Sequence, residues 1–409
     1  MEKRSLFSRI FGTDKSSVVP QTATEVKVLD DQKATFTPYK GDFHDDIDIR
    51  ACVDAIARNG AKMHPRHIRN YDGKMENLKS NLYKLLSKQP NEIQDAYKFY
   101  YQVITNLELY NDSFVYIQRD SDLNITGLYP LDFSEGKLYE FEGKLWIKFR
   151  FGRSKERFVP YDSCIHLTRF VGKDGLFGGS TIPIIKTLSI KHIIDEGIVN
   201  AIKTTQRIKG IVKTTKSMLK PEDVKKMRDQ FVDDFIKGGD RIGIGGLDAT
   251  TDFTPVKIEP TTASENQIKI FDDKILAYFG VNENIIQSKY NEDEWNAFYE
   301  NTLEPIALQL SLEFSKKLFS DREVGHGNLI TFEANRLQYA SNSTKVAVAR
   351  LLTDIGAASL DQILEIFNMA PIGGEEGSRR VQTLNMVNAN KADEYQVGKG
   401  GEDDNTEED

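Results

Sequence analysis

Two long helical patterns in the middle of the chain constrain its fold more than any other feature. From Ile182 to Ile208, apolar residues recur at three- and four-residue steps, interrupted only by Lys191. This spacing predicts one helix roughly 40 Å long, at about 1.5 Å per residue. A second pattern begins at the capping-box sequence Thr262-Ala-Ser-Glu265 and stops at Gly280. We therefore expect two helical struts with a small domain at their far end, forming a rod-shaped stalk.

The composition narrows the class of protein. The 409 residues, of which 28% are charged and 39% hydrophobic, allow a soluble protein with a large core and two or three domains. No stretch approaches the ~20 apolar residues of a membrane span, and the N-terminus lacks a signal-peptide core, so we expect a cytosolic protein. Cys52 and Cys164 lie among apolar neighbours and are predicted to be buried free thiols.

The formal net charge of −8 counts against a dedicated nucleic-acid-binding protein, because Lys and Arg supply most of the affinity for phosphate. It does not exclude a surface that DNA merely passes. The two ends of the chain are expected to be irregular. Residues 1–45 form an arm, whose first dozen residues are predicted to pack on a neighbouring subunit, to be disordered or, less favourably, to anchor in a membrane. The acidic residues 376–409 are predicted to be disordered.

The segments on either side of the struts predict an α+β protein. Before the struts, helices are predicted at 49–63, 76–88 and 92–110, and strands at 113–119, 125–128, 138–141, 145–151, 157–159 and 164–168. Between the struts we expect a strand at 210–214, a helix at 221–238 and strands at 241–244 and 253–258. After them we expect a polar loop at 280–294, a helix at 295–319 kinked at Pro305, a strand at 329–332 and helices at 342–355 and 359–368.

Catalytic motifs are weak throughout the chain. The glycine clusters at 172–180 and 243–246 lack the Gly-Lys-[Ser/Thr] ending of a phosphate-binding P-loop, so we interpret them as turns. His64 and His67 lack further metal ligands at suitable spacing and are predicted to be a surface or half-buried pair. His192 is interpreted as a packing or interface residue.

Two acidic groups, Asp272-Asp273 and Glu292-Asp293-Glu294, resemble a two-metal nuclease site only superficially, because neighbouring acids on a helix diverge in direction. We expect them to face water. The sequence therefore predicts no active site, no metal and no cofactor.

A series of short phrases follows a fixed order between residues 45 and 375. They are Ala51–Asn59, Leu82–Leu86 with Pro90-Asn91, Leu109–Ile117, Leu128–Asp132, Asp174-Gly-Leu176 with Gly178 and Ser180, Tyr278–Val281, Asn301–Pro305 and Gly356–Gly374. Together they resemble landmarks of the portal proteins of long-tailed double-stranded DNA bacteriophages. The chain departs from that family at Asn282-Glu283, where proline is common, and at His64-Pro65-Arg66.

The resemblance implies a phage portal fold, an α+β architecture with named parts. These are an N-terminal arm (1–45), a wing (46–180), stem helices (181–208 and 262–279), an α/β clip (209–261), a tunnel loop (280–294), a tunnel helix returning to the wing (295–340), a helical crown (341–375) and an acidic tail (376–409).

The same resemblance implies a non-enzymatic subunit of a dodecameric ring at one capsid vertex, the channel for packaging and ejecting double-stranded DNA. Its implied partners are identical subunits, DNA in transit without sequence preference, the packaging terminase, the head–tail adaptor, and the major capsid and scaffold proteins. No membrane is implied. The ring is expected to assemble in the host cytoplasm and to reside in the virion.

Two sets of residues follow as hypotheses. In the tunnel loop, Lys289 and Tyr290, with Gln287 and Asn291, are placed near the narrowest point of the channel, where nearby acids limit their hold on DNA; the alternative is a solvated loop without DNA contact. In the clip, the basic side chains form a mixed polar face with Asp229, Asp233 and Asp234, suited to exchanging motor and adaptor. The basic residues are Lys225, Lys226 and Arg228.

Two other classes of protein stay open at this stage. One is a tail or adaptor ring that never meets DNA, which composition alone does not exclude. The other is a nuclease or ATPase of the packaging machinery, which requires clustered metal-binding acids or a P-loop.

Overall fold

The computed structural model describes most of the chain between residues 46 and 380, together with four short strands before it. The described residues are 24–25, 27–28, 32–33, 35–36, 46–71, 74–152, 155–173, 175–205, 210–214, 222, 225–226, 229, 251–255, 264–333, 342–367 and 369–380. By their internal contacts they separate into two compact units. The first draws on residues 1–38, 50–179 and 280–409, and the second on 39–49 and 180–279.

The described elements alternate between helices and antiparallel strands, as expected for an α+β protein. The helices are α1 (Ile47–Gly60), α2 (Asn81–Ser87), α3 (Ala96–Tyr110), α4 (Ile182–Thr205), α5 (Glu265–Phe279), α6 (Glu283–Ile286), α7 (Glu292–Phe298), α8 (Glu304–Leu318), α9 (Asp321–Gly325), α10 (Asn342–Asp354), α11 (Leu360–Ile366) and α12 (Gly374–Ser378). The strands are β1 (Thr24–Glu25), β2 (Lys27–Val28), β3 (Gln32–Lys33), β4 (Thr35–Phe36), β5 (His64–Tyr71), β6 (Lys74–Asn77), β7 (Asp112–Arg119), β8 (Ile125–Pro130), β9 (Glu135–Phe141), β10 (Lys144–Phe151), β11 (Lys155–Pro160), β12 (Cys164–Thr168), β13 (Gly210–Thr214), β14 (Thr251–Pro255) and β15 (Asn328–Glu333).

Three antiparallel sheets organise the first unit. Strands β9, β10 and β11 form a sheet whose free edge is covered by β1 and β4, a second sheet has the order β12-β7-β8, and a third has the order β15-β5-β6. Phe114 of β7 lies at the centre of one aromatic core, with the rings of Phe133 and Phe149 edge-on at 5.4 and 5.2 Å. Edge-to-face packing of this kind adds to the burial of apolar area.

Strand β5 is the main departure from the expected elements of the first unit. The segment predicted as a helix at 76–88 is a helix only from Asn81, and its start belongs to β6. Pro65 is tolerated in β5 because β6 pairs only with Ile68–Tyr71, so the proline lies where the strand has a single neighbour. His67 is buried rather than half-buried, with Nδ1 2.8 Å from Ser80 Oγ and Nε2 3.1 Å from Asn328 Oδ1.

The helix predicted at 295–319 begins earlier and is interrupted. Asn291 caps α7, so the helix starts at Glu292, and a π-helical segment, Tyr299–Leu303, separates α7 from α8. Pro305 follows directly. Because proline has no N–H to donate within a helix, a local change of hydrogen-bonding pattern is expected at this point.

The second unit contains the two long helices and part of the insert between them. Helices α4 and α5 pack against each other, and β13 pairs with β14 in antiparallel register from Gly210–Pro255 to Thr214–Thr251. The residues expected as the strand at 241–244 lie outside the described part of the chain. The cap of α5 differs from the expected one: Ser264 Oγ accepts from the Gln267 N–H, and Gln267 Oε1 accepts from the Ser264 N–H.

Lys191, the single interruption in the apolar pattern of α4, is the buried cation of the second unit. Its side chain is 15% exposed, and its Nζ donates to Asp272 Oδ1 of α5 at 2.5 Å and to Asp48 Oδ2 of α1. Burial on its own lowers the pKa of Lys191, but its hydrogen bonds to both carboxylates raise that pKa above its ordinary value. The lysine therefore links three segments.

This arrangement predicts energetic coupling between Lys191 and Asp272. Lys191→Met leaves two carboxylates facing each other, so we expect it to lower the free energy of unfolding by about 1–2 kcal/mol, and Asp272→Asn in the same chain to restore part of the loss. Urea unfolding of the four forms measures the coupling, expected at about 1 kcal/mol. The control is the same set of variants with Lys186→Met in place of Lys191→Met, since Lys186 lies at an exposed site of the same helix. If the coupling of Lys191 with Asp272 is no larger than that of Lys186 with Asp272, the role assigned to Lys191 is wrong.

Candidate functional site

The loop predicted to line a channel is more ordered than a polar loop. Gly280 ends α5 with φ of +68°, a conformation that costs glycine little. Asn282 then caps α6, its Oδ1 accepting from the Ile285 N–H at 2.8 Å. The departure from the family pattern at Asn282-Glu283 thus exchanges a rigid turn residue for a helix cap, and the chain still turns at this point.

The four residues placed at the narrowest point share one short segment between α6 and α7, but their environments differ. Lys289 is exposed, and its Nζ donates to Gln287 Oε1 at 3.0 Å. The ring of Tyr290 lies 5.2 Å from that of Trp295, which is buried. Asn291 accepts from the Glu294 N–H in a capping box, so its side chain is already used within the helix. Lys289 is therefore the residue of the four best placed to meet a solute.

The acids that follow the loop are held in defined positions. Glu294 accepts from the Asn291 N–H at 3.0 Å and from Asn284 Nδ2 at 2.6 Å, and Glu292 Oε2 accepts from Thr344 Oγ1 of α10 at 3.1 Å. Carboxylates in the first turn of a helix are favoured by its dipole. Negative charge is consequently fixed close to Lys289.

Helix α4 is apolar on more than one side. Ile184 and Leu188 are buried, but Ile190 and Ile193 are 45% and 66% exposed. The predicted stripe along Ile185, Ile194 and Ile198 is only partly buried, and its far end is exposed at Ile202. A surface helix of a monomer normally carries polar residues on its outer face, so these side chains indicate a surface that another molecule covers.

The predicted docking residues of the clip are only partly described. Lys225 and Lys226 are helical and exposed, as are Glu222 and Asp229, which agrees with the mixed polar face expected from the sequence. Arg228 lies outside the described residues, as do Asp233 and Asp234.

A buried polar network in the first unit was not foreseen from the sequence. Asp112 Oδ1 accepts from the Gly178 N–H at 2.9 Å and lies 2.8 Å from His166 Nε2, while His166 Nδ1 lies 3.3 Å from the Tyr161 hydroxyl. Since a carboxylate oxygen only accepts, the imidazole donates to Asp112 from Nε2. The network ties the glycine-rich loop to the sheet, in agreement with its interpretation as a turn. No local pattern signals it, because its members come from separate segments.

Two further charges are buried in the first unit. Arg169 Nη1 lies 2.8 Å from Glu108 Oε2, yet burial raises the pKa of Glu108 to about 7, since Arg169 offsets only part of the desolvation. Lys317 donates from Nζ to the Tyr161 carbonyl at 2.9 Å, and burial lowers the pKa of Lys317. The buried carboxyl group of Glu108 and the buried amine of Lys317 thus both have protein partners.

The acidic groups singled out in the sequence do not form a metal-binding cluster in the described part of the chain. Within the ranges given above, no group of three or more His, Cys, Asp or Glu residues is arranged to hold a metal ion. Asp272 pairs with Lys191 and Glu292 with Thr344. In the same ranges, no helix combines the length and apolarity needed to cross a bilayer.

Curated relatives match a limited part of the chain. The chain is 25% identical over 160 residues to a probable portal protein of Lactococcus phage p2, a match that covers 37% of this chain and 41% of that relative. It therefore spans less than half the length of this relative. What the whole relative does is not transferred by this match alone.

Solved structures match over most of the chain. A chain in the neck of an empty gene transfer agent particle, computed with C6 symmetry, has a TM-score of 0.57 and 16% identity, covering 81% of this chain and 92% of that one. A chain in the neck of the native particle, computed with C12 symmetry, has a TM-score of 0.52 and 16% identity, covering 80% and 91%. At this identity the likeness concerns the fold.

A family model for the phage portal protein matches residues 47–368. That range contains both long helices, the loop after them and all three sheets of the first unit, and it agrees with the order of the phrases in the sequence. This chain belongs to the phage portal protein family.

Proposed function

We propose that the chain is one subunit of a closed ring at a capsid vertex, the channel through which double-stranded DNA is packaged and ejected. The observation that carries the proposal is the exposed apolar face of α4, seen at Ile190 and Ile193. In a ring, every subunit has an identical neighbour on each side, so one contact between two different, complementary surfaces, repeated around the ring, covers all such faces. Structures of similar fold computed with C6 and C12 symmetry support a cyclic assembly, and we propose a dodecamer.

The proposed partners follow from that position. The terminase motor and later the head–tail adaptor dock on the clip, and the major capsid and scaffold proteins surround the wing. Assembly takes place in the host cytoplasm, and the finished ring resides in the virion. Portal proteins are structural, and we propose that this subunit breaks and forms no covalent bonds itself, in contrast to a packaging nuclease or ATPase.

A ring without DNA is the second candidate, and the loop at 287–291 distinguishes the two. A channel for DNA must let every sequence slide, so its contacts with phosphate must be few and weak. One exposed lysine per subunit, Lys289, beside the fixed carboxylates of Glu292 and Glu294, fits that requirement. A structural adaptor has no need of this balance.

The α4 face makes the first prediction. Ile193→Asp places a charge in the proposed subunit contact, and we expect rings to be replaced by monomers in size-exclusion chromatography with light scattering and in negative-stain images. Met75→Asp, at an equally exposed apolar site of β6, is the control and is expected to leave rings intact. Circular dichroism checks that both variants fold. A wild-type chain that stays monomeric, or rings that survive Ile193→Asp, contradicts the proposal.

Lys289 makes the second prediction. In packaging assays with assembled rings, we expect Lys289→Glu to impair packaging or genome retention several-fold and Lys289→Ala to have a smaller effect, because reversal adds repulsion to the loss of a phosphate contact. Lys144→Glu, at the exposed first residue of β10, is the matched control. Wild-type packaging and retention by both Lys289 variants removes the channel role of this residue.

The clip makes the third prediction. Lys225→Glu combined with Lys226→Glu is expected to weaken terminase binding to purified rings on the order of tenfold, with each reversed charge contributing about 1 kcal/mol or less. The effect shrinks as salt rises. Lys98→Glu on α3, also exposed, serves as the control. We expect ring formation to stay intact in the clip variant. If rings are lost instead, the helix that carries Lys225 and Lys226 lies in a contact between subunits.

A further inference from the structure

Two short strands of the N-terminal arm, β1 and β4, cover the free edge of a sheet in the first unit. Thr24 and Glu25 of β1 pair with Glu140 and Tyr139 of β9. Thr35 and Phe36 of β4 pair with Lys137 and Gly136 of the same strand, again antiparallel. The arm therefore runs along β9 as one strand in two pieces.

The two pieces are separated by an excursion out of the sheet. From Thr24 to Thr35 the arm advances eleven residues, while β9 advances only three, from Glu140 to Lys137. Leu138 lies between the two paired stretches of β9, and between β1 and β4 the strands β2 and β3 pair with each other in antiparallel register. A large bulge of this kind interrupts an edge strand and limits its pairing to two short stretches.

Main-chain pairing holds the arm weakly. The strands contacting β9 have two residues each, so each stretch provides at most a few hydrogen bonds. Ordering these residues costs backbone entropy of comparable size. The pairing is therefore weak enough for one occupant of the β9 edge to be exchanged for another.

The edge is occupied through main-chain pairing in a defined register. Thr24 and Thr35, β-branched residues that favour strands, stand opposite Glu140 and Lys137, and Phe36 stands opposite Gly136. Another copy of the same arm presents the same residues to β9 in the same register.

We propose that, in the assembled ring, β9 of each subunit pairs with the arm of the neighbouring subunit. The inference rests on the proposed ring, where a neighbour's arm is present at high effective concentration and exchange replaces each pairing by an identical one. Residues 37–45, between β4 and α1, can span up to ~30 Å when extended at about 3.3 Å per residue. Exchange converts a weak internal contact into one that is repeated around the ring.

Disulfide trapping in full-length rings tests the exchange. Thr24→Cys/Glu140→Cys places two thiols at directly paired positions, whose separation in an antiparallel sheet suits a disulfide. The control, Leu145→Cys/Glu140→Cys, joins paired positions of β9 and β10 and can close only within a subunit. The native Cys52 and Cys164 are buried and stay out of the reaction. After mild oxidation, denaturing gels without reductant separate the products, and light scattering before denaturation verifies the rings.

The expected result is a ladder of covalently linked subunits for the arm variant and monomers for the control. Intact rings that yield only internally cross-linked monomers overturn arm exchange and leave the ring proposal standing. Failure of the arm variant to oxidise, when the control oxidises fully, removes the arm from β9 and overturns the inference as well. A chain that never forms rings overturns the proposed function itself.

Discussion

Helix α4 has more apolar surface than one chain buries, and the proposed assembly into a ring depends on this exposed surface. Its inner side packs within the second unit, where Ile184 and Leu188 are buried, while its outer side keeps several isoleucines in water. Full burial of one such side chain contributes about 1.5–3 kcal/mol. Since a closed ring repeats the contact at every interface, a few side chains are enough to favour assembly. The charged Lys191 is neutralised inside the unit by Asp48 and Asp272, so it does not oppose this contact.

The first unit, by contrast, has a rigid interior. Gly178 lies so close to the Asn111 carbonyl that a Cβ at this position falls 2.0 Å from its oxygen, and its N–H donates to buried Asp112. Such a contact accepts only glycine without a shift of the backbone. Gln309 of α8 adds a second tie, because its side-chain amide both donates to and accepts from the main chain of Thr168 at the edge of β12. These contacts fix the positions of the glycine-rich loop and of the end of β12 relative to the sheets of the first unit.

Much of the fold could be read from the sequence, because periodicity and capping residues act locally. The sequence Ser359-Leu-Asp-Gln362 is typical of a capping box, and the capping box forms. The chain turns between β9 and β10 at Glu142-Gly143, where Gly143 adopts a positive φ at little cost. Failures arise where distant segments decide. β5 forms because Asn328–Glu333, distant in the sequence, pairs with it. The cap of α5 lies at Ser264 because the side chain of Gln267 accepts from the Ser264 N–H. The candidate site divides in the same way: Lys289 is exposed as expected, whereas the use of Asn291 as a helix cap depends on Glu294.

The balance of charge around Lys289 connects this geometry to movement of DNA. Each phosphate that a protein neutralises raises affinity through counterion release, with a slope of about 0.9 in log K against log salt. A ring of strong phosphate contacts therefore holds a duplex too firmly to slide. In this chain Lys289 donates a hydrogen bond to Gln287. Hydrogen bonds from Thr344 and from the Asn291 N–H hold the carboxylates of Glu292 and Glu294 in place. If the proposed channel role is right, this fixed negative charge limits the attraction equally at every subunit, and the potential that the duplex meets changes little as it turns.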